Sequence, residues 1–269
     1  MNALIEIVKD KWAWRSQIWN LGLFALRKQS RGAVLGPLWF FAKPAVYVFV
    51  FWFALEIGLR AGSAAEGAPP YILWLTCGLI PWFYMQEMLN KGINTFHTYS
   101  YLVTKIKFPL SAIPSVFNVS TAVIQCGLVV ALLVVYAACG MGLDWYLLQL
   151  PVAMVLMMAF FDLFSLMTSC LSAISKDFYN LMKTISTPLF WLSGIIFDVF
   201  SLGYAWLTGI LMFDPVTFFA TMYRAALYDK VWIWQKTGAV EGFVVVLLLT
   251  LACTIAVYVR TREEVPDVL

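Results

Sequence analysis

Six long stretches of mostly apolar residues restrict the fold of this chain more than any other feature. They cover residues 38–59, 71–90, 113–139, 147–174, 180–199 and 239–259. A helix needs roughly 20 apolar residues to cross the hydrocarbon core of a bilayer. The stretches are continuous and lack the alternating polar face of a barrel strand. We therefore predict an all-α membrane protein with six transmembrane helices.

The composition supports a membrane protein and excludes other classes. Apolar residues make up 62% of the chain and charged residues 12%, whereas soluble domains average about 45–50% and about 25%. A nucleic-acid-binding protein and a secreted disulfide scaffold are thereby excluded. The five cysteines all lie in apolar stretches, so we interpret them as small packing residues and expect neither a metal site nor a disulfide.

The basic residues predict the orientation, because cytoplasmic segments of membrane proteins carry an excess of Lys and Arg. With the N-terminus inside, 14 of the 18 basic residues fall in cytoplasmic segments. The four outside are Arg60, Arg224, Lys230 and Lys236. We therefore place both termini, the loop 91–112 and the tail 260–269 in the cytoplasm.

Two apolar pieces before the last span, 201–213 and 216–228, are too short to cross, and Asp214-Pro215 separates them. Together they predict an outer re-entrant helical hairpin over 200–230. Such a shape is tolerated in a membrane where protein or water covers the exposed backbone.

The first 37 residues do not form a span and show no cleavable signal peptide. On a helical wheel the polar and apolar residues separate, which indicates an amphipathic helix lying in the inner membrane interface. A merely anchored tail is the alternative. The polar arc holds Lys9, Ser16, Gln17, Asn20, Arg27 and Lys28, and the apolar remainder Trp12, Trp14, Ile18, Trp19, Leu21, Leu23 and Leu26.

The chain offers little for catalysis. It contains no GxxxxGK[ST] motif for nucleotide phosphates and no HExxH, GxSxG or paired metal-ligand spacing. Its one histidine, His97, is expected to be a polar loop residue. Asp162 is the only acid deep within a span, where burial costs about 2.5–3.5 kcal/mol. Since a proton relay would need further acids or histidines, we interpret it as structural, with Ser165 and Thr168 as possible local hydrogen-bond partners.

Aromatic residues make up 17% of the chain. Many are expected in the belts at the two membrane interfaces, but some lie too deep for a belt. Aromatic faces suit the C–H faces of sugar rings, so these residues are candidates for lining a carbohydrate path. The deep set is Tyr47, Phe49, Phe51, Trp52, Phe53, Trp82, Phe83, Tyr84, Phe190 and Trp191.

Three motifs carry a resemblance to a family. They are RKQSRGAVLGPLW at 27–39 with Lys43-Pro44 after it, LVTKIKFP at 102–109, and DPV at 214–216 followed by YRAA at 223–226. In this order they resemble the entry to span one, the inner loop and the outer hairpin of permeases of type-2 ABC exporters for cell-surface polysaccharides. The resemblance covers essentially the whole chain.

Within that family, EIGLR at 56–60, PYILWL at 70–75 and FPLSAIP at 108–114 look closest to the membrane subunit of the wall teichoic acid exporter. O-antigen and capsule exporters share most of these features, and the tail RTREE at 260–264 looks more like a capsule exporter. Lys43 stands where Asn or Glu is more usual, and Asp214 where Asn is. These departures leave the polymer and the type of bacterial host open.

The resemblance implies a homodimeric permease in the bacterial cytoplasmic membrane, without a nucleotide site of its own. Two copies of a separate ATPase would bind ATP and magnesium, and the cargo would be a lipid-linked glycan or polyol-phosphate polymer. It also implies that the loop between spans two and three docks on the ATPase, with the N-terminal helix as a second contact. The candidate coupling residues are Tyr99, Tyr101, Leu102, Lys105, Lys107 and Phe108.

The resemblance further implies that the polymer enters from the inner leaflet between spans one and five and leaves past the outer hairpin. Lys43 could meet the pyrophosphate of the lipid carrier, or could snorkel to the interface. Arg224 could contact a phosphate-rich polymer or form an ordinary ion pair. The candidate path residues are Lys43, Tyr47, Phe51, Trp82, Phe83, Tyr84, Phe190, Trp191 and Arg224.

Three other functions stay open from the sequence. The nearest is a type-2 ABC permease for a drug or a lipid, with the same coupling loop and a more apolar cavity. A secondary carrier would need paired charges within the membrane or broken inverted repeats, and neither is evident. An intramembrane enzyme would have only Asp162 and His97 as candidate catalytic groups.

Overall fold

A computed structural model describes residues 2–58, 70–106, 108–142, 144–236 and 238–268. Within these ranges all regular structure is helical, which confirms the all-α prediction. The α-helices are α1 Asn2–Ala13, α2 Arg15–Gln29, α3 Trp39–Trp52, α4 Tyr71–Asn90, α5 Thr95–Thr98, α6 Ser100–Ile106, α7 Ile113–Ala138, α8 Gln149–Ile174, α9 Lys176–Leu192, α10 Ala205–Leu211, α11 Pro215–Leu227, α12 Ala239–Thr261 and α13 Val265–Val268.

Short helical turns extend some of these helices into longer apolar segments. Four segments of the described chain are long and apolar enough to cross a membrane: Gly36–Gly58, Leu110–Ala138, Trp145–Ile174 and Ala239–Thr261. The pair α10 and α11, bent by 95°, would be a fifth if it counts as one broken span. The structure therefore supports a membrane-spanning helical protein with four or five candidate spans, not the six that the sequence predicts.

The two remaining expected spans explain the difference. Helix α4 has the expected bounds, but its last turns carry Gln86, Glu87 and Asn90. These polar residues lower its mean hydropathy, so it is not among the four candidate spans. Helix α9 begins four residues before the expected span start at 180 and ends at Leu192 instead of residue 199, so the helix does not coincide with the expected span. Ser175 caps its start, because the Ser175 hydroxyl accepts a hydrogen bond from the Phe178 N–H at 3.3 Å.

The N-terminal segment forms two helices instead of one, with the break at Trp14. Helix α2 packs closely along α7, and Gly22 makes this possible. A Cβ atom at Gly22 would lie 2.7 Å from Cγ1 of Val119 and 3.0 Å from the Val116 carbonyl oxygen. Trp12 and Trp19 are exposed, so apolar rings remain on the outer face. Placement of these rings in the membrane interface stays a prediction.

The core lies among α4, α7, α8 and α11, and polar side chains join its helices. The Tyr84 hydroxyl donates to Oδ1 of Asn118 at 2.6 Å, and Nδ2 of Asn118 donates to the Met158 carbonyl at 3.0 Å. One amide thereby connects α4, α7 and α8 within an apolar core. Helix α3 lies at the edge of this core: it contains no buried residue, but its Val48, Phe51 and Trp52 pack against the core.

The bend between α10 and α11 follows from Asp214. Its carboxylate accepts hydrogen bonds from the N–H groups of Val216 at 3.1 Å and Thr217 at 2.9 Å. Pro215 fits the first position of α11, because it has no N–H to leave unpaired and its φ angle is already helical. An N-cap residue followed by Pro starts a new helix here, and the chain cannot continue α10 through it.

Replacing Asp214 tests this cap. Asp214→Ala should lower the stability of the protein by about 1 kcal/mol, because the first N–H groups of α11 lose their acceptor. Asp214→Asn is the matched control and should stay nearer the wild type than Asp214→Ala, since its single amide oxygen can still accept from one of the N–H groups at the start of α11. Thermal unfolding in detergent and hydrogen exchange at the amides of residues 216 and 217 measure the effect. Equal losses in both variants would contradict the capping role.

Candidate functional site

A cavity of about 610 Å³ separates α3 from α4 and α7, and the turn after α2 also lines it. It brings together four of the nine candidate path residues. They are Lys43 and Tyr47 on α3 and Phe83 and Tyr84 on α4. On the α3 side it is lined by Trp39, Phe40, Lys43, Pro44 and Tyr47.

The cavity combines positive charge with unused hydrogen-bonding capacity. Lys43 forms no ion pair with any residue that the structure describes, whereas Lys91 is paired with Glu87 at 2.7 Å. Nε2 of Gln125 donates to the Tyr223 hydroxyl at 3.2 Å, while its Oε1 is buried and has no partner among the described residues. Because the Gln125 oxygen is buried, Lys43 is the group of the cavity that suits an anionic part of a ligand.

The candidate aromatic residues are connected, but they do not all line the cavity. The Tyr47 ring contacts Phe83 at 6.1 Å and Phe51 at 6.5 Å between centroids. Phe51 in turn contacts Phe190 at 5.1 Å and Trp191 at 6.2 Å. The rings thus form a continuous series from α4 over α3 to α9.

Two of the nine residues have a packing role. Trp82 and Phe190 are buried and contact each other at 5.4 Å between ring centroids. Trp191, by contrast, is 53% exposed. Tyr84 lines the cavity with little exposure, and its hydroxyl is already bonded to Asn118. Tyr47, Phe51, Phe83 and Trp191 therefore remain the aromatic residues best placed to contact a cargo.

A polar face on α9 was missed by the reasoning from sequence. Asn180, Lys183, Thr184 and Thr187 are all exposed, and their spacing of three and four residues places them on one side of the helix. Polar groups facing hydrocarbon without partners are costly, so this face should meet water or another protein chain. The spacing was visible in the sequence, inside a stretch that had been interpreted only as a span.

Arg224 is placed differently from both expectations. It is 5% exposed, and its guanidinium donates to the carbonyls of Gly194 and Ile195 and lies over the Trp74 ring, 3.5 Å from its centroid. It forms no ion pair with a described residue, so the ordinary ion pair is wrong. A Cβ at Gly78 would lie 2.6 Å from its Nη2. Arg224 holds the turn after α9, and a cargo could reach it only if the hairpin moved.

The candidate coupling residues divide into exposed and anchoring ones. Tyr101 and Lys105 are exposed on α6, whereas Leu102 and Phe108 are buried. Tyr99 is half-buried, which raises the pKa of its phenol to about 12 and keeps it uncharged at neutral pH. Lys107 lies outside the described residues. Only part of the predicted set is therefore available to a partner, while the rest holds α6 on the bundle.

The start of the same loop is bonded to α8. The Ser169 hydroxyl donates to the Gly92 carbonyl at 2.9 Å and lies 2.8 Å from the Thr95 hydroxyl. The Ser172 hydroxyl donates to the Ile93 carbonyl. These bonds satisfy backbone groups at the turn between α4 and α5 and fix the loop to the C-terminal half of α8.

Asp162 is hydrogen-bonded as expected, but the expected partners are wrong. Its Oδ2 is paired with Lys11 of α1 and accepts from the Ser115 hydroxyl at 3.1 Å. Thr168 instead donates to the Phe164 carbonyl at 2.7 Å. Ser165 Oγ is buried without a partner among the described residues. His97 is exposed on α5, and the described chain holds no group of three or more potential metal ligands.

Comparison with known proteins gives one family. A family described as "ABC-2 type transporter" matches residues 16–228. The O-antigen export system permease protein RfbA of Myxococcus xanthus is 20% identical over 230 residues, which are 84% of this chain and 85% of that protein. A permease of the same name from Klebsiella pneumoniae is 22% identical over 233 residues, or 83% and 85% of the two chains.

Thiol labelling tests whether the cavity contains water. Two variants are compared, one whose only cysteine is introduced by Gln86→Cys and one that retains only the native Cys126. The thiol at position 86 should react with a charged, membrane-impermeant maleimide about tenfold or more faster than Cys126, because the reaction needs water and the thiolate. Gln86 lines the cavity, whereas Cys126 is exposed on α7 outside it. Equal rates for the two thiols would show that the cavity is filled by lipid or protein.

Proposed function

The chain belongs to the ABC-2 type transporter family, and on that premise we propose that it is the membrane subunit of an ATP-driven exporter of a lipid-linked cell-surface polysaccharide. The cavity beside α3 carries the proposal, because it joins the unpaired cation Lys43 to the rings of Tyr47 and Phe83. A lipid-linked glycan has both matching parts, an anionic phosphate linkage and apolar sugar faces. Aromatic faces also hold successive sugar rings without fixing their register.

The names of the relatives support O-antigen as the first polymer class to test. Both permeases that align over more than four fifths of this chain are described as O-antigen export proteins. Wall teichoic acid, which the short sequence motifs favour, has no such support from these relatives. We therefore propose an O-antigen-type glycan first, with capsule or teichoic acid polymers as alternatives within the same mechanism.

The proposed energy source is a separate ATPase, which would bind ATP and magnesium. The exposed face of α6 offers it a docking surface formed by Tyr101, Thr104 and Lys105. The anchoring of the neighbouring loop to Ser169 and Ser172 would pass a movement of α6 into α8. On this proposal the loop 91–112 and both termini lie in the cytoplasm, as the distribution of basic residues indicates.

We further propose a homodimer with two ATPase copies. Helix α3 contains no buried residue, and α9 exposes the polar face of Asn180, Lys183, Thr184 and Thr187. A second copy, or a water-filled path between two copies, would cover both surfaces at once. Counting α4, α9 and the candidate apolar segments as spans would then restore the six-span arrangement.

An ABC-2 permease for a lipid or drug is the second candidate. A neighbouring cavity of about 560 Å³ favours it, because the side chains around it are almost entirely apolar. They include Val48 and Trp52 of α3 and Leu132 and Val135 of α7. Such a groove would accept a hydrophobic compound without a sugar.

Transport by reconstituted vesicles separates the two candidates. The chain is purified with the ATPase encoded beside its gene, and vesicles containing the complex are given diphospholipid-linked glycan or a hydrophobic dye. We expect ATP-dependent, vanadate-sensitive translocation of the glycan. Transport of the dye alone would contradict the polysaccharide proposal, and a chain that never recruits an ATPase would contradict both candidates.

A charge reversal tests the docking surface. Lys105→Glu should reduce the permease-dependent stimulation of ATP hydrolysis several-fold, since a rim charge of the wrong sign weakens association with a complementary partner. Arg260→Glu is the matched control, because Arg260 is also exposed and is predicted to be cytoplasmic but lies at the end of α12. Equal stimulation by Lys105→Glu and the wild type would place the docking surface elsewhere.

A further inference from the structure

An ion pair between the N-terminal segment and the middle of α8 has no role in the proposed mechanism so far. Lys11 of α1 pairs with Asp162, and the Ser115 hydroxyl of α7 donates to the same carboxylate oxygen at 3.1 Å. The side chains are only 20% and 14% exposed. Asp162 Oδ1 is buried and has no partner among the described residues, so Lys11 supplies the one opposing charge.

Helix α1 is also bonded to two other parts of the bundle. The Ser111 hydroxyl, at the end of the loop 91–112, donates to Oδ2 of Asp10 at 2.9 Å. The Arg262 guanidinium, just after α12, donates to both Glu6 oxygens at 3.1 and 2.8 Å. Adjacent residues of α1, Asp10 and Lys11, therefore contact the coupling loop and α8 respectively.

The exposed helix α6 is connected to α1 through Phe108. The Phe108 N–H donates to the Leu102 carbonyl at 3.0 Å, which closes the end of α6. The Phe108 ring packs edge-on against Trp14, with 5.0 Å between centroids. A displacement of α6 thus reaches the end of α1 at two points, through the buried Phe108 ring at Trp14, which follows α1 directly, and through the hydrogen bond to Asp10.

Helix α8 consequently holds the coupling loop at two levels. Ser169 and Ser172 bond the beginning of the loop directly, and Asp162 holds its end through α1. Ten residues separate Asp162 from Ser172, which is about 15 Å along a helix. A force applied at two points so far apart tilts a helix, whereas one applied at a single end can simply fray it.

We propose that Lys11 and Asp162 are positioning residues for transport, which pass the movement of the coupling loop to the middle of α8. This inference rests on the proposed function. The physical reason is that two partly buried opposite charges stay together, because separation would leave each charge uncompensated in apolar surroundings. A pair of apolar side chains could stabilise the same contact, but could slide as α1 moves.

The test measures glycan translocated per ATP hydrolysed by the reconstituted complex. Lys11→Met and Asp162→Asn should lower this ratio by about fivefold or more, while ATP hydrolysis itself continues. Lys11→Arg keeps the charge and should keep the ratio. Lys9→Met is the matched control, because Lys9 is an exposed cation on the same helix and should have no effect.

The double variant Lys11→Met/Asp162→Leu separates transmission from stability. It removes both charges, so the complex should assemble and unfold at a temperature close to that of the wild type, yet remain uncoupled. A wild-type ratio in this variant, or in both single variants, would overturn the proposal. Failure of the double variant to assemble would show that the pair has a purely structural role, which would also overturn the proposal. A wild-type complex that translocates no glycan would instead contradict the proposed function.

Discussion

A helix that ends inside an apolar bundle leaves backbone carbonyl and N–H groups without partners, and the part of this protein between α9 and α11 is built around that constraint. Helix α9 ends at Leu192 and α11 starts at Pro215. Arg224 donates to the carbonyls of the turn at Gly194 and Ile195, and the Thr217 hydroxyl accepts from the Gly194 N–H at 3.0 Å. Since bonds from a charged donor are about twice as strong as neutral ones, the end of α9 and the hairpin should move as one unit.

The same constraint explains why α3, and not the hairpin, borders the open cavity. The hairpin is fixed by side chains that satisfy backbone groups, whereas most backbone groups of α3 are bonded within the helix itself. Pro44, inside α3, is the exception, since it has no N–H to donate. The cavity is lined by Lys43 and Tyr47 on one side and Phe83 and Gln125 on the other. On the proposed function, the cargo path would therefore be bordered by α3 and not by the hairpin.

Features that depend on local pattern were predictable from the sequence, and features that depend on distant partners were not. Continuous apolar runs predicted α7, α8 and α12 closely, because a helix bonds its own backbone wherever it lies. Asp214-Pro215 predicted the bend for the same local reason. The partner of Asp162 could not be predicted, because Lys11 lies 151 residues away. The packing of Arg224 could not be predicted because its acceptors are backbone carbonyls. Every residue has such a carbonyl, so the sequence does not indicate which ones bind it.

Helix α8 connects the two ends of the molecule. In its C-terminal half it carries Asp162, Ser169 and Ser172, which hold α1 and the loop 91–112. At its N-terminal start, Gln149 donates to the Val231 carbonyl at 2.9 Å and accepts from the Ile233 N–H at 2.8 Å. That segment follows the hairpin directly, and the Val231 N–H donates to the Ala225 carbonyl of α11 at 2.9 Å. On the proposed function, a tilt of α8 would carry a movement of the loop 91–112 to the hairpin, and core residues of α8 such as Phe160 and Phe161 would have to shift with it.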